Sequence, residues 1–193
     1  IKNVKATGKP PAEILWDSRK ETDFALAEGV YTLEITAIDA AGNSIAKRYS
    51  VESKAVAEMK NNKLYLLVDN IIFSAYKHTL DSAGAELFER NKLVLTEVVN
   101  ILNRFQGYSV KLEAHALNIY GYDKKKYEQE EQILQPLTER RASTVRQALL
   151  ERGIPASRIR QEAFGGRFPI ASTTDKRVWW LNRRVEFLLV FPE

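Results

Sequence analysis

The 193-residue chain contains no cysteine, and only two histidines and one methionine. Without cysteine there is no disulfide, no thiol nucleophile and no thiolate metal site. Two histidines in different segments, His78 and His115, make a poor metal centre, and no metal site is expected. No run approaches the ~18 uninterrupted apolar residues of a membrane span. The longest, such as "FLLVF" at 187–191, have the size of a strand. Charge of one sign is also scarce. The net charge is only +4, and the densest basic run, Lys124–Lys126, is followed by Glu128, Glu130 and Glu131. Nucleic-acid binding is therefore not indicated. What is present, 45% hydrophobic against 28% charged residues, suits a globular protein with a real core.

Two modules follow one another. In "VYTLEITAI" the residues Tyr31, Leu33, Ile35 and Ala37 share one strand face and alternate with Thr32, Glu34 and Thr36. "DAAGN" at 39–43 supplies turn chemistry, and Ile45, Lys47, Tyr49 and Val51 alternate on the return strand. Upstream, "GKPPAEILWD" reads as a turn and a short strand ending at Trp16 and Asp17. About three strands are too few for a sandwich, so the module is expected to begin partway through. "ESKAVAEMKNNK" at 52–63 reads as a polar connector, which gives expected domains of 1–53 and 54–193.

Beyond the connector, strands and helices alternate. "LYLLVDNIIF" at 64–73 is strand-like, and Leu95, Val98, Val99, Leu102 and Phe105 form one face of a helix ending near Gly107. "VKLEAHA" places Val110, Leu112, Ala114 and Ala116 inward, with Glu113 expected on a solvated face. A second helix, "TERRASTVRQALLERG", takes Thr138 as N-cap and Gly153-Ile154-Pro155 as its stop. "RRVEFLLVF" closes the chain as an apolar strand. The expected class is α+β, a βαβαβ-type mixed sheet with helices on one face.

On the second helix, Leu137, Ala142, Val145, Ala148 and Leu149 form an apolar arc that contains Arg141. A guanidinium on an apolar face needs an anion or an exit to water. An internal carboxylate is the plainer partner; a ligand carboxylate, gripped bidentately, is the sharper one. No catalytic triad, paired carboxylates or cofactor fingerprint is visible, so neither an enzyme nor a cofactor is expected. "FGGRFP" is Gly-rich but lacks the lysine and context of a phosphate loop. Of Trp179 and Trp180, one is expected in the core and the other at an interface.

These stretches carry resemblances. "GKPPAEILWD" with "AEGVYTLEITAIDAAGN" resembles the closing half of a bacterial Ig-like repeat, of the kind found in flagellar hook-capping proteins. "LTERRASTVRQALLERGIPASRI", "FGGRFP" and "LNRRVEF" resemble the OmpA-like C-terminal domain of peptidoglycan-associated lipoproteins and flagellar stator proteins, over residues of about 60–193. The resemblance implies an OmpA-like α/β sandwich in the periplasm or outer-membrane side of a diderm envelope. It implies non-covalent binding of the peptidoglycan stem peptide, with envelope proteins as further partners. In the family an aspartate engages the ammonium of the stem residue and a helix arginine its carboxylate.

Arg141 matches that arginine, and Thr138 stands where the family has serine. The family's Gly-His-Thr-Asp falls on Ala114, His115, Ala116 and Leu117, which leaves the aspartate missing and Asn118 its nearest polar substitute. Leu134 replaces a family asparagine, and the segment "YGYDKKKYEQEEQ" lengthens the loop before Leu137. The leading expectation is a structural or interaction module with a degenerate pocket. The alternative is a retained anchor that uses Arg141 and Asn118, with Thr138 beside them. In the first case Glu128, Glu130 or Glu131 is expected to fold back and neutralise Arg141.

Overall fold

The computed structural model describes residues 29–53 and 55–191. The chain divides into two compact units, residues 1–55 and 56–193. In the first, β1 (Gly29–Ile38) pairs antiparallel with β2 (Ser44–Ser53). The register sets Tyr31 opposite Val51, Leu33 opposite Tyr49 and Ala37 opposite Ile45, as the alternation requires. Asp39 holds the turn by accepting from the Ala41 and Asn43 amides, while Gly42 takes φ +87°. The strand expected to end at Trp16 lies outside the described residues.

The second unit is a six-stranded mixed sheet with two long helices. Its strands are β3 (Ala57–Lys60), β4 (Lys63–Leu66), β5 (Ile71–Ile72), β6 (Ser109–Ala114), β7 (Ile159–Ala163) and β8 (Arg184–Val190). They lie in the order β3-β4-β8-β6-β7, with β5 also on β8. The segment 52–63 is thus more than a connector. Asn61 and Asn62, at φ 50° and 58°, make the two-residue turn that joins β3 to β4. The strand expected over 64–73 is two short ones, broken around Asp69 and Asn70.

Helix α1 (Ala85–Arg104) buries Val94, Leu95, Val98, Ile101 and Leu102 along one stripe. Asn91 on the same stripe binds both backbone groups of Ile72, its Oδ1 accepting from N–H at 3.1 Å and its Nδ2 donating to the carbonyl at 3.0 Å. Helix α2 (Lys124–Glu151) has its N-cap fifteen residues before the one expected at Thr138. Asp123 is the N-cap and accepts from the Lys126 amide. Pro136 sits inside the helix and removes one bond of its ladder without ending it. The expected stop holds: Gly153 at φ +87° donates to Leu150 and Ile154 to Leu149, the two bonds of a Schellman cap.

Both helices cover one face of the sheet. Val110, Leu112 and Ala114 of β6 and Val185, Phe187 and Leu189 of β8 meet Val94, Leu95, Val98, Leu102, Val145 and Leu149. Parallel β6 and β7 are linked through α2, the crossover such a pair needs. The opposite sheet face carries charge, yet much of it is buried. Glu113, expected to be solvated, is 2% exposed between the Lys63 and Lys111 ammoniums, each 2.9 Å away.

Candidate functional site

The loop after β6, residues 115–123, runs beside three other segments: the turn 164–167 after β7, the loop 73–79 after β5, and the first half of α2. The His115 amide donates to the Arg184 carbonyl and the Ala116 amide to that of Gly165, which stitches the loop to the sheet end. The matched residues Arg141, Thr138 and Asn118 all converge here, and all turn inward.

Arg141 lies on the apolar arc of α2 and is 0% exposed. Its Nε donates to the Lys77 carbonyl at 2.9 Å, Nη1 to His115 at 3.0 Å and Nη2 to Ser74 at 2.9 Å. The guanidinium also lies over the Phe73 ring, 5.1 Å from its centroid. Three backbone dipoles therefore do the work expected of a carboxylate. Burial, and secondarily repulsion from Arg183, pulls its pKa down to about 9. The expectation that Glu128, Glu130 or Glu131 neutralises Arg141 is overturned. Glu128 faces Lys124, and Glu130 accepts from the Tyr76 hydroxyl at 2.7 Å.

Glu131 does fold back, but onto a different target. Its two oxygens accept the Gly166 amide at 2.9 and 3.1 Å. One of them also accepts from Asn118 Nδ2 at 2.9 Å, and Arg167 Nε stands 3.7 Å from the other. Glycine is required here. A Cβ on Gly165, itself at φ +57°, would collide with the Glu131 carboxylate, and one on Gly166 would meet that carboxylate at 2.7 Å and the Asn118 amide nitrogen at 2.9 Å.

Asn118 is 3% exposed and fully engaged. Besides Glu131, its Nδ2 donates to the Tyr127 carbonyl, and its Oδ1 accepts from the Tyr120 amide. Thr138 is 0% exposed inside the helix, its hydroxyl donating to the Gln135 carbonyl and accepting from the Gly165 amide at 3.1 Å. It caps nothing; it ties α2 to the turn after β7. Leu117 is half-buried, and Leu134 packs with Ala116 and Leu137 in a small cluster of its own. Of the lengthening segment 120–132, residues 124–132 are two further turns and more of helix, anchored by Asp123, Tyr127 and Glu131.

Behind the site, His115 is buried and stacked on Phe164, with centroids 5.2 Å apart and planes at 10°. Its Nε2 lies 3.4 Å from a Glu186 oxygen but out of line, so neither ring nitrogen has a hydrogen-bond partner among the described residues. Burial lowers its pKa, against the opposing pull of Glu186. Burial pushes Glu186 up, but the His115 and Arg184 contacts outweigh it and hold the carboxyl at about 2. Glu113, His115 and Glu186 bring one donor atom each within 4.8 Å, a spacing a metal could use. The carboxylates are already engaged, however: Lys63 and Lys111 cover Glu113, and Arg184 Nε is 2.8 Å from Glu186. The cluster balances its own charge and does not fit a divalent cation.

The motif "NRRV" is built into the same frame. Asn182 accepts from the Ile170 and Ala171 amides and donates to the Ala171 carbonyl. Arg183 holds Phe73 through both its backbone carbonyl and its Nε, and Arg184 pairs with Glu186.

Residues 81–179 match the OmpA family, just over half of the chain. The chain belongs to the OmpA family. The probable lipoprotein YiaD of Escherichia coli K12 is 30% identical over 135 residues, which cover 70% of this chain and 54% of that protein. The chain thus spans about half the length of this curated relative. Among solved structures, its fold is similar to the peptidoglycan-associated lipoprotein of Burkholderia pseudomallei. There the TM-score is 0.51 at 16% identity, over 63% of this chain and 89% of that one. The periplasmic domain of Helicobacter pylori MotB gives a TM-score of 0.52 at 17% identity, over 72% of this chain and 90% of that one. The OmpA-like sandwich expected from the motifs is therefore the fold of the second unit. Among the described residues, no helix is long and apolar enough to cross a membrane.

Proposed function

We propose that this OmpA family member is a non-enzymatic structural or interaction protein of the cell envelope, whose family ligand pocket is filled by its own groups. The observation that carries the reading is Arg141. A guanidinium with 0% exposure, spread over the carbonyls of Ser74, Lys77 and His115, cannot grip a stem-peptide carboxylate without giving those contacts up. The missing acid at Leu117 removes the partner for a ligand ammonium, and Asn118, its nearest polar neighbour, is committed to Tyr120, Tyr127 and Glu131. Envelope placement in a diderm bacterium is supported by the relatives, which include lipoproteins and a periplasmic domain. The hairpin of β1 and β2 supports a β spacer before the OmpA-like domain, of the Ig-like kind.

The test is sedimentation with insoluble peptidoglycan, with free diaminopimelate as competitor. The wild-type chain is expected to stay in the supernatant. A Leu117→Asp variant, with the acid restored, is expected to stay in the supernatant as well, because Arg141 remains spread over the Ser74, Lys77 and His115 carbonyls. Wild-type protein that pellets and is released by diaminopimelate would show a working pocket and overturn the reading.

A further inference from the structure

A separate cavity of about 360 Å³ opens between β5, α1 and the short 3-10 helix at 176–182. Its wall is chemically mixed. Phe73 and Leu87 supply apolar surface, Trp180 an indole that is 39% exposed, and Arg90 and Arg183 two guanidiniums. The size falls within the range of small-molecule sites.

The charge around this cavity is not balanced from within. Arg183 uses its Nε on the Phe73 carbonyl at 3.1 Å, while its two Nη nitrogens have no protein partner among the described residues. Burial lowers its pKa, and no carboxylate offsets that effect. Arg141 lies close enough behind it that the two repel. Arg90 pairs with Asp69 at 3.0 Å, but both side chains are substantially exposed, and such a surface pair yields readily to a better anion. Two forked donors beside one cavity, with a third guanidinium behind them, favour a planar oxyanion there. The exposed indole favours a ligand whose other end offers a ring face rather than a bare ion.

We propose that the cavity bounded by Arg90, Arg183 and Trp180 binds a carboxylate-bearing sugar, the carboxylate between the two arginines and the sugar ring against the indole. Arg141, Thr138 and Asn118 do not line this cavity, which shares Phe73 and Ser74 with the surroundings of Arg141.

The experiment is an NMR titration of the full chain with D-glucuronate, D-glucose and inorganic phosphate in parallel. The reporters are the Trp180 indole N–H and the Ser74 and Arg183 amides. Glucuronate is expected to saturate these shifts with a dissociation constant on the order of 1 mM, and glucose and phosphate to bind at least about ten-fold more weakly. Arg90→Gln should weaken glucuronate about ten-fold, and Trp180→Ser should reduce it to the phosphate level. Arg183 is left intact because it tethers Phe73. Arg90 and Trp180 are part-exposed, so both variants are expected to keep the wild-type melting temperature within a few degrees. Equal response to glucose, equal response to phosphate, or full affinity in a folded Arg90→Gln protein would each overturn the assignment.

Discussion

The Glu131 carboxylate and the Gly166 amide face each other at 2.9 and 3.1 Å across a gap that only glycine leaves open. This contact fixes the first turns of α2 over the end of the sheet. Gly166→Ala should therefore do more than add a methyl group. It should expel the carboxylate and press on the Asn118 backbone, with a loss of about 1–3 kcal/mol in urea unfolding. Glu131→Gln should cost less, about 1–2 kcal/mol, because its amide oxygen can still accept one of the bonds. In the double variant the two losses should be markedly less than additive, since both break one contact.

Arg141 anchors the 73–79 loop through Ser74 and Lys77 and the end of β6 through His115. Lysine at this position keeps the charge but cannot fork to three carbonyls. Arg141→Lys is expected to destabilise the protein by about 3–5 kcal/mol, the range for breaking a buried charged network. Hydrogen exchange should reveal where: the Lys77 and His115 amides, beside the abandoned carbonyls, should lose protection more than those of β7. Uniform loss of protection would show a general unfolding effect in place of an anchor.

Asn91 offers a cleaner local test. It is 0% exposed and makes two hydrogen bonds to the backbone of Ile72, a two-residue strand with few other ties to α1. Asn91→Leu matches the volume but leaves an amide and a carbonyl without their helix partner. A loss of about 2–4 kcal/mol is expected, with fraying confined to residues near 71–74. A stability change within about 0.5 kcal/mol would mean that water or the sheet replaces both bonds.

The parts of this fold that periodicity dictates were legible in the sequence. The apolar arc of α2, the stripe of α1, the β1–β2 register and the Gly153 stop all follow from side-chain spacing and backbone freedom. What escaped were features decided by contacts distant in sequence. Pro136 and the polar run Lys124–Gln132 disguise the start of α2, because its stability there comes from Asp123, Tyr76 and the Gly166 amide. Glu113 reads as solvated because the lysines that bury it sit on β4 and on its own strand. Side-chain spacing alone puts Arg141 on the buried face of α2, but its partners are carbonyls, which no pattern of acidic residues can announce. Gly165 and Gly166 were visible as a Gly-rich turn; that they admit a carboxylate only becomes apparent once Glu131 is seen beside them.

The polar sheet face predicts an acid-sensitive fold with two separable steps. His115 is held neutral by burial, so its folded pKa lies below the ordinary 6.5. The unfolded chain then binds more protons as pH falls below 6.5, and stability declines from there toward the folded value. Glu186 has the opposite charge type but the same direction of effect. Its folded pKa of about 2 lies below the ordinary 4.5, so its contribution is complete above 4.5 and lost as pH falls toward 2. That contribution is on the order of 3 kcal/mol. His115→Phe keeps a flat ring on Phe164 and removes the first titration; it also takes one of the two contacts that lower the Glu186 carboxyl, leaving Arg184. Urea unfolding from pH 8 to 3 should show wild-type stability falling already between pH 6.5 and 5. The variant should hold level over that interval and fall only below about 4.5, where the carboxylates take up protons. A variant profile that tracks the wild type between pH 6.5 and 5 would place the first step on another group.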